Sequence, residues 1–263
     1  MISNIGIQTY TVRKAQAKSI EGAYMPLIKL GIKKYEIARM DFNEKNANDV
    51  KRLKDEYGIE VCSVQVKPKY VFGDIDKVAR FCEISGCKNV VISMLPFECI
   101  LGGEDRFYRF ISTLDGTYEK YEARGLTLAY HHHNWEYVRL SNGRTRMQEL
   151  LALTKDIKIV HDTYWAAKSG VSPALQIREL GDRLLGVHLR DITCRARGLD
   201  VVSSDTAIGD GSIDFSEVLR AAEEVGCSYY VIEEKTKDPY AEIEKSYKRL
   251  EEIRSGLSYK ERE

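Results

Sequence analysis

Glycines at positions 31, 58 and 86 give this chain a period. Each closes an amphipathic stretch and precedes a short apolar run, at intervals of 27 and 28 residues. Glycine at such a place lets a helix end in the left-handed conformation, and the interval is the length of one strand plus one helix. Alternation of that kind implies a parallel sheet covered by helices. The rhythm continues along the chain. Apolar runs at 5–10, 34–38, 60–66, 89–93, 126–130, 157–160, 184–187 and 229–232 read as eight strands. Helical spacing predicts helices at 19–30, 46–57, 74–85, 105–123, 144–153, 172–180, 215–224 and 240–253. Pro26 is expected to kink the first of these or delay its start. Eight units with no linker and no break in composition predict a single (β/α)8 TIM barrel over residues 1–254. Residues 255–263 read as a charged tail that frays. An open, doubly wound sheet shares the alternation, but the count of eight favours closure.

Composition narrows the function. Lys plus Arg and Asp plus Glu balance at 40 each, so no basic field over the whole chain marks a nucleic-acid binder. None of the six cysteines forms a C-x-x-C pair, and no apolar stretch reaches the length of a membrane span. The first seven residues lack the pattern of a signal peptide. The expectation is a reduced, cytoplasmic protein, off the membrane, whose outer helices offer faces for a homo-oligomer. Three connections exceed what the rhythm needs: 96–104, a hairpin turn at Ser141-Asn142-Gly143, and the polar stretch 191–207 with Gly209-Asp210-Gly211 behind it. All follow strand ends, where loops without secondary structure of their own serve as lids or binding loops.

The five histidines are confined to three strand ends. His131, His132 and His133 follow strand five, His161 precedes Asp162 after strand six, and His188 follows strand seven. In a barrel these ends share one face, where active sites lie. Glu136, Asp162, His188 and Glu233 add three carboxylates and an imidazole from four consecutive strand ends. Such a donor set suits a divalent ion of the Mn2+, Mg2+, Co2+ or Zn2+ kind, which would also relieve the crowding of charge. A salt-bridged rim using Arg139, Arg190 and Lys235 is the competing explanation. Residues two apart on a strand share a face, so His131 and His133 point together and His132 points away. His188 pairs in this sense with Arg190, and Val231 with Glu233, leaving Glu234 outside.

The chain also resembles the xylose isomerase-like barrels, often labelled sugar phosphate isomerase/epimerase. The resemblance spans nearly the whole sequence. It is carried by Gly6-Ile7-Gln8-Thr9-Tyr10, Tyr35-Glu36, Tyr130-His131-His132-His133-Asn134-Trp135-Glu136 and Asp162-Thr163-Tyr164-Trp165. Val187-His188-Leu189-Arg190-Asp191, Gly209-Asp210-Gly211-Ser212-Ile213-Asp214 and Val231-Ile232-Glu233 continue it. It implies a divalent metal, Mn2+ first, held by Glu136, Asp162, His188 and Glu233. It implies an isomerase or epimerase that abstracts a proton from a sugar or keto-sugar through a metal-stabilised enediolate. Glu136, Glu233, His133 and His131 are the expected catalytic groups. Gln8, Tyr10, Glu36, Trp165 and Arg190 are expected at the substrate. His132, Asn134 and Arg190 stand where Asn, Asp and Lys are usual, departures that bear on the substrate more than on the metal. The alternative within the same chemistry is a lyase or dehydratase acting on a keto-sugar or 3-keto glycoside. An apurinic endonuclease would need several zinc ions and more histidines than five. A barrel that only binds a ligand is the non-catalytic reading.

Overall fold

The computed structural model describes residues 5–260, with side chains for 5–257. The first four residues and the last three, where the signal-peptide reading and the end of the charged tail fall in part, lie outside the described residues. Eight parallel strands close a barrel. In chain order they are β1 (Ile5–Gln8), β2 (Lys34–Ala38), β3 (Glu60–Val66), β4 (Asn89–Ile92), β5 (Thr127–His131), β6 (Lys158–Asp162) and β7 (Leu184–Leu189). The ring is completed not by the next strand in sequence but by the one after an insertion. The stretch expected as a polar loop forms an antiparallel hairpin, β8 (Asp191–Arg197) and β9 (Asp200–Thr206), outside the barrel. The eighth barrel strand is β10 (Tyr229–Ile232), which pairs with β7 on one side and β1 on the other. Ile192, Thr193, Val201, Val202 and Thr206 give the insertion its strand character. Its polar composition reflects two faces in solvent rather than a lack of structure.

The helices fall where the apolar spacing puts them, within a few residues. Ser19, Asn43, Thr145, Ser172 and Asp214 cap five of them by accepting first-turn N–H groups, which satisfies donors that would otherwise lack partners. The helix Ile20–Lys29 runs through Pro26 without a late start. The last helix, Pro239–Lys260, continues through the first part of the expected tail. The connection after β4 contains a short helix, Phe97–Leu101. At Ser141-Asn142-Gly143, Arg139 and Thr145 bridge across the expected turn. Among the described residues no helix is long and apolar enough to cross a membrane.

Period-two alternation sorts each strand into two faces. Outward residues such as Ile7, Ile37, Val64, Leu128, Ile159 and Val187 join the helices in one large buried cluster. Each fully buried aliphatic side chain there contributes roughly 1.5–3 kcal/mol. A second, smaller cluster consists only of strand residues, among them Cys62, Val91, Ala129, Val160, Tyr229 and Val231, and fills the barrel interior. The sequence continues each inner row to the mouth, so Ala129 leads to His131, Val160 to Asp162 and Val231 to Glu233. A register shift between β2 and β3 breaks the pattern once. Tyr35 pairs with Val61, but Glu36 pairs with Ser63. Both Cys62 and Ser63 therefore reach the interior, the latter donating its hydroxyl to Glu36.

Gly186 of β7 gives Tyr229 its place. A Cβ at residue 186 would lie 2.4 Å from the Tyr229 ring. We expect Gly186→Ala to lower stability by about 1–3 kcal/mol, read from the urea midpoint. An unchanged midpoint would mean that the ring has room to move.

Candidate metal centre

Four side chains from four neighbouring strands meet at the mouth. Ligand-type atoms of His131, Asp162, His188 and Glu233 all lie within 4.8 Å of one another, and all four residues are buried. Three of the four are members of the expected set. Glu136 is not among them. The strand ends at His131, and the chain then coils into a single 3-10 turn, Asn134–Tyr137. That turn folds the Glu136 carboxylate onto the Tyr130 hydroxyl and the backbone N–H of His133, 2.7 Å away. Tyr130 belongs to the outer cluster, so Glu136 sits behind the barrel wall. His131, on the inner row, stands in the fourth place.

The group has the form of a ligand shell. His188 Nε2 lies 2.6 Å from Glu36 Oε1. A carboxylate only accepts, so this nitrogen carries the proton and Nδ1 presents its lone pair. Nδ1 faces Glu233 Oε2 at 2.9 Å and Asp162 Oδ2 at 3.9 Å. Yet neither Nδ1 nor Glu233 Oε2 has a partner in hydrogen-bond geometry, and His131 Nδ1 also has none. Buried acceptors converging on one point without donors between them are costly. A cation at that point satisfies all of them, and two nitrogens with carboxylate oxygens suit a borderline divalent ion. Burial opposes protonation of His188, but Glu36 and Glu233 outweigh it and push the imidazole up to about 10. A proton on Nδ1 and a cation beside it are alternative answers to the same negative charge. His131, by contrast, is held well below the usual histidine range by burial and by the neighbouring imidazole of His188. It is therefore neutral, the form that binds metals.

Arg190 supplies the fixed positive charge. It is buried, donates to Asp162 Oδ2 at 3.1 Å and lies 3.6 Å from Glu233 Oε1. Its other nitrogens bind Asp205 of β9 at 2.8 and 3.1 Å. Burial raises Asp162 to about 6 against the pull of Arg190, whereas Arg190 and His188 overcome burial at Glu233 and hold it at about 2. Of the competing reading, a salt-bridged rim using Arg139, Arg190 and Lys235, only the Arg190 part is found at the mouth among the described residues. Arg139 donates to Gly143 within its own turn, and Lys235 lines the opening. Asp205 could not be found from sequence while residues 191–207 read as a loop. Asp191 accepts backbone N–H groups from Gly209, Gly211 and Ile213, which explains why the Arg190-Asp191 and Gly-Asp-Gly motifs occur together.

The remaining expected residues divide into two sets. Tyr10, His131, His133, Trp165, Arg190 and Glu233 line a cavity of about 1280 Å3 over the mouth. Gln8 and Glu36, expected at the substrate, lie behind it. Glu36 is fully buried among Ser63, Tyr229 and His188. Gln8 donates to Gln65 Oε1 at 3.1 Å. Gln65 lines the cavity with its Nε2 unpartnered and is a residue that sequence reasoning passed over. His132 points away from the cavity as expected. Its Nε2 accepts the Asp162 N–H at 3.0 Å and faces His161 Nδ1 at 3.1 Å, which fixes the end of β6.

Comparison with known proteins agrees with the fold. The family model described as xylose isomerase-like TIM barrel matches residues 15–255. An inosose dehydratase of Clostridium beijerinckii is 26% identical over 133 residues, 45% of this chain and 43% of that protein. The match thus spans less than half the length of this curated relative. A sugar phosphate isomerase/epimerase from Parabacteroides distasonis superposes with a TM-score of 0.77 at 19% identity, covering 95% of this chain and 94% of that one. A xylose isomerase-like TIM barrel protein from Mycobacterium smegmatis, in complex with magnesium, gives 0.72 at 9% identity and 97% of each chain. At these identities the two structures attest the fold.

The location of Glu36 and Glu136 can be tested directly. Glu36→Gln should weaken Mn2+ binding about 10–100-fold in calorimetric titration, because a neutral amide is a weaker acceptor for His188 Nε2–H and can turn its NH2 to the ring instead. Glu136→Gln should retain one equivalent of metal while losing stability. Loss of metal from the Glu136 variant would return that residue to the ligand shell.

Proposed function

This chain belongs to the xylose isomerase-like TIM barrel family, and on that premise we propose that it is a divalent-metal-dependent sugar isomerase or epimerase. It moves a proton at the carbon beside the carbonyl of a sugar or keto-sugar. The single observation that carries the reading is the set of unpartnered lone pairs on His131, His188 and Glu233, gathered with Asp162. These four residues are the proposed ligands, with Mn2+ ahead of Mg2+, Co2+ and Zn2+. When bound, such an ion supplies Lewis-acid stabilisation of the negative charge that develops on a carbonyl oxygen as the adjacent C–H ionises.

The protein's own groups do the rest. Glu233 and His133 line the cavity and are the proposed proton carriers. His133 is neutral, since burial lowers it to about 4, and its Nδ1 has no partner in the barrel wall. It can accept a proton and return it. Glu136, engaged behind the strand, is not proposed for this role. Arg190 holds Asp162 and Glu233 in place and offsets their charge, which keeps Glu233 ionised. Trp165 and Tyr10 offer flat faces to a sugar ring, and Gln65 Nε2 offers a donor to one of its hydroxyls.

A second reading uses the same first step. If a hydroxyl or aglycone lies β to the new carbanion, His133 can pass to it the proton taken from carbon as the C–O bond breaks, and the outcome is elimination. The curated relative named inosose dehydratase favours keeping this reading. Product analysis in D2O separates the two. Isomerisation or epimerisation places deuterium on carbon with all hydroxyls retained; elimination releases water or aglycone. EDTA should abolish either activity and Mn2+ restore it. Glu233→Gln should lower kcat by roughly 100-fold or more. A Glu233→Gln protein with full metal content and full activity would overturn the assignment.

A further inference from the structure

The cavity is larger than the proposed chemistry requires. At about 1280 Å3 it exceeds the volume of most small-molecule sites, which run from roughly 300 to 1,000 Å3. A single sugar ring at the metal centre would leave most of it unfilled. The rest extends across the mouth to the loops after β2 and β3.

That far end is cationic although the whole chain has no net charge. Arg39, Lys67, Lys69 and Lys77 line it, and Lys235 lines the same cavity two residues beyond Glu233. Among the described residues only Lys77 of these has an ion-pair partner, Asp41 at 3.0 Å. The acidic groups on the cavity wall do not neutralise the others. Asp41 is engaged by Lys77 and Asn43, Glu233 belongs to the metal centre, and Glu98 alone faces the remaining cations. Like charges gathered in a concave wall focus a positive field into it.

Arg39 shows that this placement is built. It is the one non-glycine among the described residues with a left-handed backbone, at φ 56°. A bulky residue persists there only where its surroundings over-determine it. They do so here, because Ala38 before it is pinned from both sides. Its N–H donates to Thr9 Oγ1 at 2.8 Å, and its carbonyl accepts from Thr9 Oγ1 at 3.1 Å and Gln16 Nε2 at 2.8 Å. The Arg39 guanidinium lies 5.3 Å from the Tyr10 ring centre, and the Lys69 ammonium lies 4.4 Å from that of Tyr70. Contacts of this kind orient a cation without consuming its donors.

We propose that Arg39, Lys67 and Lys69 form a distal subsite for an oxyanion carried by the non-reacting end of the substrate. The substrate is then a sugar bearing phosphate or carboxylate at the end away from the carbons handled at the metal centre. This rests on the metal centre being the reacting end. The test uses the full chain, with and without Mn2+, and three probes: D-fructose, D-fructose 6-phosphate and D-glucuronate. In calorimetric titration one or both anionic sugars should bind at least about tenfold tighter than D-fructose, the ratio expected for one charge-assisted contact. The two anionic arms distinguish phosphate from carboxylate. Arg39→Gln/Lys67→Gln, with its fold checked by circular dichroism, should abolish the preference, and added NaCl should reduce it. Equal binding, or no binding, of neutral and anionic probes would overturn the subsite. So would a preference that survives the double variant, or one that disappears with Mn2+ removal, which would place the anion on the metal. A preference retained without Mn2+ upholds the subsite even if the metal reading fails.

Discussion

The hydrogen bond from His188 to Glu36 governs the centre of this protein. It crosses the barrel interior from β7 to β2, and it determines which imidazole nitrogen is free. Reverse it, and the lone pair that faces Glu233 and Asp162 becomes an N–H. The carboxylate that enforces it is itself held by Ser63 and Tyr229. The barrel interior is thus more than packing: its inner layer sets a tautomer, and the tautomer sets what the mouth can bind.

Around that bond the charges are graded rather than merely gathered. Arg190 touches Asp162 and Asp205 and approaches Glu233, so one guanidinium serves the candidate metal centre and the inserted hairpin together. Burial works against its charge, and Asp162, Glu233 and Asp205 hold it charged there. The hairpin is consequently wired to the site through Asp205, while Asp191 ties its base to the Gly209–Gly211 loop. Comparison with a lid is instructive. A lid moves over a finished site, whereas this insertion contributes an anion to one.

Much of this was legible in the chain, and the failures have physical causes. Strand and helix periods are local, so the eight units and their glycine stops could be read directly. Residues sharing an inner row, such as His131 with His133 and Val231 with Glu233, followed from alternation alone. Glu136 was placed with the ligands from its position after a strand end and from resemblance, neither of which marks the turn after His131 that carries its carboxylate to Tyr130 and the His133 N–H. Glu36 was assigned to the substrate because resemblance flags a residue without saying which side of a ligand it stands on. Asp205 was invisible because two solvent-exposed faces give a hairpin the composition of a loop.

The offset between β2 and β3 has a consequence for how such a barrel can change. Beyond residue 62 every side chain of β3 owes its orientation to one additional residue in the ladder. Ser63 under Glu36 and Gln65 at the cavity are in phase only because of it. Remove that residue and the ladder becomes regular, with Ser63 still opposite Glu36 and everything beyond it on the same side of the wall. A residue gained or lost further along, with no such offset to absorb it, would exchange inside and outside and put Val64 and Val66 in place of the hydroxyl and the amide. The offset is therefore the place where this strand can change length while its mouth stays as it is.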